Sequence, residues 1–80
     1  MPKSAEIIMS IRVIIDHPKD YPDHFVVRRW DVERGNPEPV PAFDYALAMT
    51  LEQARQMLPE GLINIGRWPN DDPAILECWI

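Results

Sequence analysis

The most hydrophobic part of the chain is a nine-residue segment near its start. Residues 7–15 read IIMSIRVII, and seven of these nine side chains are apolar. Successive side chains of a strand point to opposite faces, so the odd-numbered positions give one wholly apolar face. The even-numbered face carries Ile8, Ser10, Arg12 and Ile14 and is therefore half apolar. A strand of this kind is expected to be covered on both sides of its sheet.

The pattern predicts a first strand over residues 6–15 and a second over residues 24–34. The eight residues that separate them contain Pro18 and Pro22, which cannot lie inside a central strand. We therefore expect the two strands to pair in an antiparallel hairpin. The faces of the second strand mix apolar and charged residues, so its register remains open at this stage.

Further extended segments follow the turn residues that end the second strand. Residues 37–41 read PEPVP and favour a stiff, polyproline-like surface connection. Residues 43–49 are a candidate third strand, residues 62–65 a short extended piece and residues 74–80 a final strand.

One short helix is predicted between these segments. Thr50 and Gln53 fit a capping box, in which the Thr50 hydroxyl accepts from the Gln53 amide and the Gln53 side chain reaches back to the Thr50 amide. Pro59 ends the helix after about eight residues. Its apolar stripe consists of Leu51, Ala54, Met57 and Leu58. We expect this stripe to cover the odd-numbered face of the first strand.

Together these elements predict one α+β domain spanning residues 1–80. Its expected architecture is a small antiparallel-rich sheet of three to four strands, with the helix packed on one face, in the order β-β-(β)-α-β. A chain of this length buries only about 60–65% of its unfolded surface, so its own core is modest.

The charge balance disfavours generic nucleic-acid binding. The formal net charge is −5, and all of it arises in residues 35–80, whereas phosphate recognition needs an excess of basic groups.

Cys78 is the single cysteine, so no disulfide can form within the chain. The first residues lack the features of a signal peptide, and no apolar run is long enough to span a membrane. The expected location is the cytoplasm.

Catalytic motifs find no support in the sequence. The three glycines, Gly35, Gly61 and Gly66, cannot form a phosphate-binding loop such as G-x-G-x-x-G. Cys78 lies inside an apolar strand, where a thiol is unreactive. We therefore expect neither an enzyme nor a cofactor.

The connection between the first two strands is the one candidate metal site. His17, Asp20, Asp23 and His24 supply imidazole and carboxylate groups, which are ligands for zinc and related metals. The H-x6-H spacing matches no established site. The preferred interpretation is an ordinary hairpin connection in which the aspartates form Asx turns.

Three tryptophans in 80 residues raise the possibility of a binding surface. Arg28-Arg29-Trp30 and Arg67-Trp68 place guanidinium groups next to indoles, and Trp79 lies in the final strand. Arginine and aromatic residues on a sheet occur in protein-binding hot spots and in platforms for single-stranded nucleic acid. They also occur as core residues with cross-strand ion pairs.

Three segments are similar to short uncharacterised bacterial proteins. They are residues 25–30 (FVVRRW), 50–55 (TLEQAR) and 72–80 (DPAILECWI). This resemblance implies no activity, cofactor or site residue.

These observations lead to a functional expectation based on the uncovered face of the sheet. We expect a non-catalytic protein-interaction module that forms a homodimer through its sheet. The alternative is a nucleic-acid-binding protein that uses an Arg/Trp sheet surface. The expected interface residues are Ile8, Ile14, Arg28, Trp30 and Trp79.

Overall fold

The computed structural model describes residues 6–67 and 72–80, which form one antiparallel sheet and one short helix. The sheet has five strands in the order β3-β2-β1-β5-β4, and all neighbouring pairs run antiparallel. The elements are β1 (Ile7–Asp16), β2 (Phe25–Glu33), β3 (Val40–Ala48), α1 (Leu51–Gln56), β4 (Asn64–Gly66) and β5 (Ile75–Trp79).

The coarse architecture agrees with the α+β expectation, but the strand count does not. The predicted hairpin of β1 and β2 is present, and residues 64–66 add a fifth strand at the sheet edge. β3 begins at Val40 and so includes Pro41, which the sequence placed in a surface connection. A proline is tolerated there because β3 is an edge strand.

The helix is shorter than expected, and its cap differs in one hydrogen bond. The Gln53 amide donates to the Thr50 hydroxyl at 3.1 Å, as predicted. The Gln53 side-chain oxygen, however, accepts from the Met49 amide at 3.0 Å and not from the Thr50 amide. The helix spans six residues, with Met57 at its C-cap.

The expectation about which face the helix covers is wrong. Ile14 is fully buried and packs with Val27, Ala48 and the helix residue Ala54. The helix therefore lies on the even-numbered face of β1. Small alanines on β3 let it approach this face closely, so its contacts with the sheet are to β2 and β3.

A bulge in β1 further changes the assignment of faces. Ile7 pairs with Glu33 and Met9 with Val32, which leaves Ile8 as the extra residue. Ile7 thereby moves to the side of Glu33, away from the odd-numbered residues that follow. Both Ile7 and Ile8 are 53% exposed, beyond the reach of the short helix.

Candidate interaction surfaces

The face of the sheet opposite the helix carries no helix or second sheet in the described part of the chain. We call it the open face, and the cross-strand pairings define it. Its residues are Met9, Ile11, Val13, Ile15, Val26, Arg28, Trp30, Val32, Pro41, Tyr45, Leu47, Ile75 and Cys78. Val13, Val26 and Cys78 are buried at its centre, whereas Met9, Tyr45 and Leu47 are exposed.

The β1–β2 connection covers one end of the open face. Its chain reversal uses His17 with a positive φ of 46°, and the His17 amide donates to the His24 carbonyl at 3.1 Å. Tyr21 then reaches Tyr45 of β3, with the two hydroxyls hydrogen-bonded and the ring centroids 5.4 Å apart. This hydrogen bond raises the pKa of Tyr21. The loop therefore leaves the other end, around Met9 and Val32, uncovered.

Arg28 is the only charged side chain among the open-face residues. Its guanidinium carbon lies 5.3 Å from the centroid of the Tyr45 ring, within the range of a cation–π contact. Trp30 lies two residues further along β2 on the same face and is half-buried. Arg28 and Trp30 therefore lie on the same face, as the sequence suggested. Arg28, however, already contacts the ring of Tyr45.

The other predicted interface residues lie elsewhere. Ile14 is in the core, so its assignment to an interface is wrong: the helix covers it within one chain. Trp79 packs against the same core, and its indole N–H donates to Glu77 at 3.0 Å. Ile8 is exposed on the bulge. Trp68 lies outside the described residues.

Arg29 points to the side of the sheet opposite Arg28 and Trp30. It contacts Asp31 at 3.1 Å and Asp44 at 3.2 Å. The Ser10 hydroxyl also donates to Asp31 at 2.8 Å. The RRW sequence is thus divided between the two faces, and it does not form one continuous basic surface.

These charged residues form part of a cleft beyond the C-terminal end of the helix, which we call the arginine cleft. Arg12, Arg29 and Asp44 form its charged side, and Val27, Met57 and Pro59 form its apolar side. Its volume is about 240 Å³. This cleft was not predicted, because the helix was expected on the opposite face of β1.

The predicted metal ligands do not assemble. His17 packs edge-on against Phe25, with ring centroids 4.7 Å apart, and hydrogen-bonds the neighbouring Asp16. Within residues 6–67 and 72–80, no group of three or more His, Cys, Asp or Glu side chains is arranged to hold a metal ion. The connection itself is formed by backbone turns, in which the Tyr21 amide donates to the Pro18 carbonyl and the His24 amide to the Tyr21 carbonyl.

Comparisons with known proteins found no matching family model, curated protein or solved structure. In the part of the chain that the structure describes, no helix is both long and apolar enough to cross a bilayer.

Proposed function

We propose that this protein is a non-catalytic interaction module that forms a homodimer by packing two open faces together. The proposal is based on the apolar character of the open face. Among the described residues, only the β1–β2 loop covers any part of this face. Because α1 packs on the other face, the chain does not supply a second layer for this one in the described ranges.

The balance of buried and exposed apolar residues supports this proposal. Among the described residues, Ile14 is the only large side chain that is fully buried, whereas Met9 and Leu47 on the open face remain exposed. Burial of apolar surface contributes about 25 cal/mol per Å². Because the core of this domain is small, burial of apolar surface against a partner adds proportionally more to its stability than it would in a larger domain.

The size and charge of the open face fit a second copy of the chain. Strands rise by about 3.4 Å per residue and lie about 4.8 Å apart, so β1, β2, β3 and the shorter β5 together span roughly 500 Å². Two such faces bury at most roughly 1,000 Å², because the β1–β2 loop covers one end of each, and this area belongs to the class of small, weak interfaces. The strand residues of this face include no carboxylate, and Asp20 of the β1–β2 loop borders only its covered end, in the same pocket as Arg28. Two chains of net charge −5 can therefore meet at the uncovered end without opposing their acidic groups.

Sedimentation velocity between 1 and 200 µM tests the proposal. We expect a species of about twice the chain mass of 9.3 kDa at the higher concentrations. Leu47→Lys places a charge on the open face and should weaken dimerisation at least tenfold. Ile7→Lys is the matched control, because Ile7 is more exposed than Leu47 and lies on the side of Glu33, away from the open face.

A wild-type chain that sediments as a monomer at 200 µM would overturn the proposal. Equal effects of the two lysine variants would also do so, because they would show that the association is not specific to this face. Circular dichroism of each variant verifies that it remains folded.

The same proposal includes a cytoplasmic location. The only cysteine, Cys78, is buried in the sheet, so the fold needs no disulfide and suits a reducing compartment.

The alternative is single-stranded nucleic-acid binding at the open face, favoured by the placement of Arg28 and Trp30 on one side of β2. It predicts that an oligonucleotide quenches tryptophan fluorescence and that salt weakens this effect. Absence of quenching at low salt would exclude it. The net charge of −5 and the engagement of Arg28 by Tyr45 make the homodimer the better-supported proposal.

A further inference from the structure

We propose that the arginine cleft binds the carboxylate of a small ligand with a short apolar body. The cleft lies on the helix side of the sheet, so this proposal does not depend on dimerisation through the open face.

Arg12 is the residue that suggests an anion. The residue is half-buried, and its guanidinium makes no hydrogen bond or ion pair with any described residue. Its direct cross-strand neighbour on β2 is Arg29, and like charges at such positions repel. An anion between the two guanidinium groups would relieve this repulsion and give Arg12 a partner.

The second guanidinium, that of Arg29, also has a hydrogen-bond donor without an acceptor. The Arg29 Nε atom is buried and makes no hydrogen bond, although Asp31 lies 3.1 Å away, because the N–H is not directed at that oxygen. Asp44, the other partner of Arg29, is 73% exposed and therefore well screened by water. Small rotations of Arg29 would let it share a carboxylate with Arg12, in the bidentate geometry that guanidinium groups favour.

The opposite side of the cleft determines the rest of the ligand. Val27, Met57 and Pro59 offer an apolar wall, and Met57 is exposed and flexible enough to close over a guest. A volume of about 240 Å³ accommodates an aliphatic chain of a few carbons. Phosphate would satisfy the arginines but leave this wall without contact, which is why we infer a carboxylate with an apolar body.

Such a carboxylate can belong to a free short-chain acid or to the C-terminus of a peptide that ends in an aliphatic residue. Titration of the ¹⁵N-labelled protein with hexanoate and with N-acetyl-leucine distinguishes the two sources, because N-acetyl-leucine resembles a peptide end. For ligands of this size we expect a Kd of about 1 mM, with the tighter of the two identifying the source. The amides of Arg12, Arg29 and Met57 should show the largest shifts.

Two further probes separate the contributions of charge and apolar contact. Hexanol lacks the carboxylate and inorganic phosphate lacks the apolar body, so each should bind at least fivefold more weakly than hexanoate. If either binds as tightly as hexanoate, or if the shifts map outside the cleft, the proposal is wrong.

Variants complete the test. Arg12→Gln should weaken hexanoate binding at least tenfold and Arg12→Lys less. Arg34→Gln should leave binding unchanged, because Arg34 lies outside the cleft and pairs with Glu6. Should Arg12→Gln fail to fold, Met57→Ser replaces it and should weaken hexanoate several-fold while leaving acetate unaffected. Unchanged hexanoate affinity in the folded variant would overturn the proposal.

Discussion

At the scale of single residues, Glu77 is a buried carboxylate whose charge requires hydrogen-bond donors around it. It is a carboxylate on the helix side of β5 with only 8% of its surface exposed. Arg55 of the helix donates to both of its oxygens, and the Trp79 indole donates to one of them. This residue therefore joins the helix to the sheet through charge, next to the apolar contacts of Ile14 and Ala54.

The ion pair makes stability depend on pH. The hydrogen bond from Arg55 lowers the pKa of Glu77 below its ordinary value of 4.5, with a smaller contribution from Trp79 and against the effect of burial. The stabilisation is therefore complete above about pH 4.5 and is lost as the pH falls through the lowered pKa. Glu77→Gln should cost about 1–2 kcal/mol at pH 7 and reduce the pH dependence of thermal unfolding between pH 3 and pH 6. A Glu52→Gln control, on the exposed side of the helix, should retain the wild-type profile.

Because Ile14 is buried and Ile8 is exposed, substitution by valine should change the free energy of unfolding at Ile14 but not at Ile8. Ile14→Val removes a buried methyl group and should cost about 0.5–1.5 kcal/mol. Ile8→Val alters a side chain that is largely in water and should remain within about 0.5 kcal/mol of wild type. Urea unfolding followed by fluorescence measures both. Equal costs would contradict the assignment of Ile14 to the core.

At the scale of elements, the helix is too short to be stable by itself, and its cap contributes a large share of its local stability. Six residues make fewer than two turns, which is below the length at which isolated helices form. The Thr50 hydroxyl and the Gln53 side chain satisfy amides at its start that would otherwise have no partner.

Thr50→Ala should therefore destabilise the protein by about 1 kcal/mol, measured as a lower urea midpoint with an unchanged slope. Thr50→Asp should restore most of the loss, because an aspartate also caps helices. Gln56→Ala changes an exposed residue of the same helix and should have an effect of no more than a few tenths of a kcal/mol. A Thr50→Ala variant as stable as wild type would show that the cap is dispensable.

The elements also show what the sequence could and could not reveal. The β1–β2 hairpin and the capped helix follow from β-branched runs, prolines and the Thr50–Gln53 spacing, which are local signals. The face that the helix covers depends on Ala46 and Ala48, two small residues on a strand more than 30 positions from Ile14. Because β1 is apolar on both sides, its own pattern could not distinguish the two faces. The bulge at Ile8 has no local signature either, and it displaces Ile7 from the face that strict alternation predicts.

At the scale of the whole molecule, the sheet has one well-covered side and one that is only partly covered. The helix, Glu77 and Trp79 complete the first side. On the second, Tyr21 and its loop protect the end near Val26, while Met9 at the other end remains exposed. If a second copy covers this region, stability must depend on protein concentration.

Raising the concentration from 2 to 200 µM should increase the melting temperature of the wild-type chain by up to about 5–10 °C, because dimerisation adds up to about 1.4 kcal/mol per chain over this range. Differential scanning calorimetry at the two concentrations measures the shift. Leu47→Lys should show a clearly smaller shift between the two concentrations than the wild-type chain. A concentration-independent wild type would contradict the dimer.

The central position of β1 has a consequence for the order of folding. Its two neighbours come from opposite parts of the chain: β2 follows within a few residues, whereas β5 is nearly the whole chain away. During synthesis, β1, β2 and β3 can pair as soon as they leave the ribosome. The other edge of β1 stays unpaired until β5 has been synthesised. Closing so long a loop is slow. Until it closes, Ile14 and Val13 remain accessible to water on that edge, and the nascent chain presents a hydrophobic strand that chaperones would recognise.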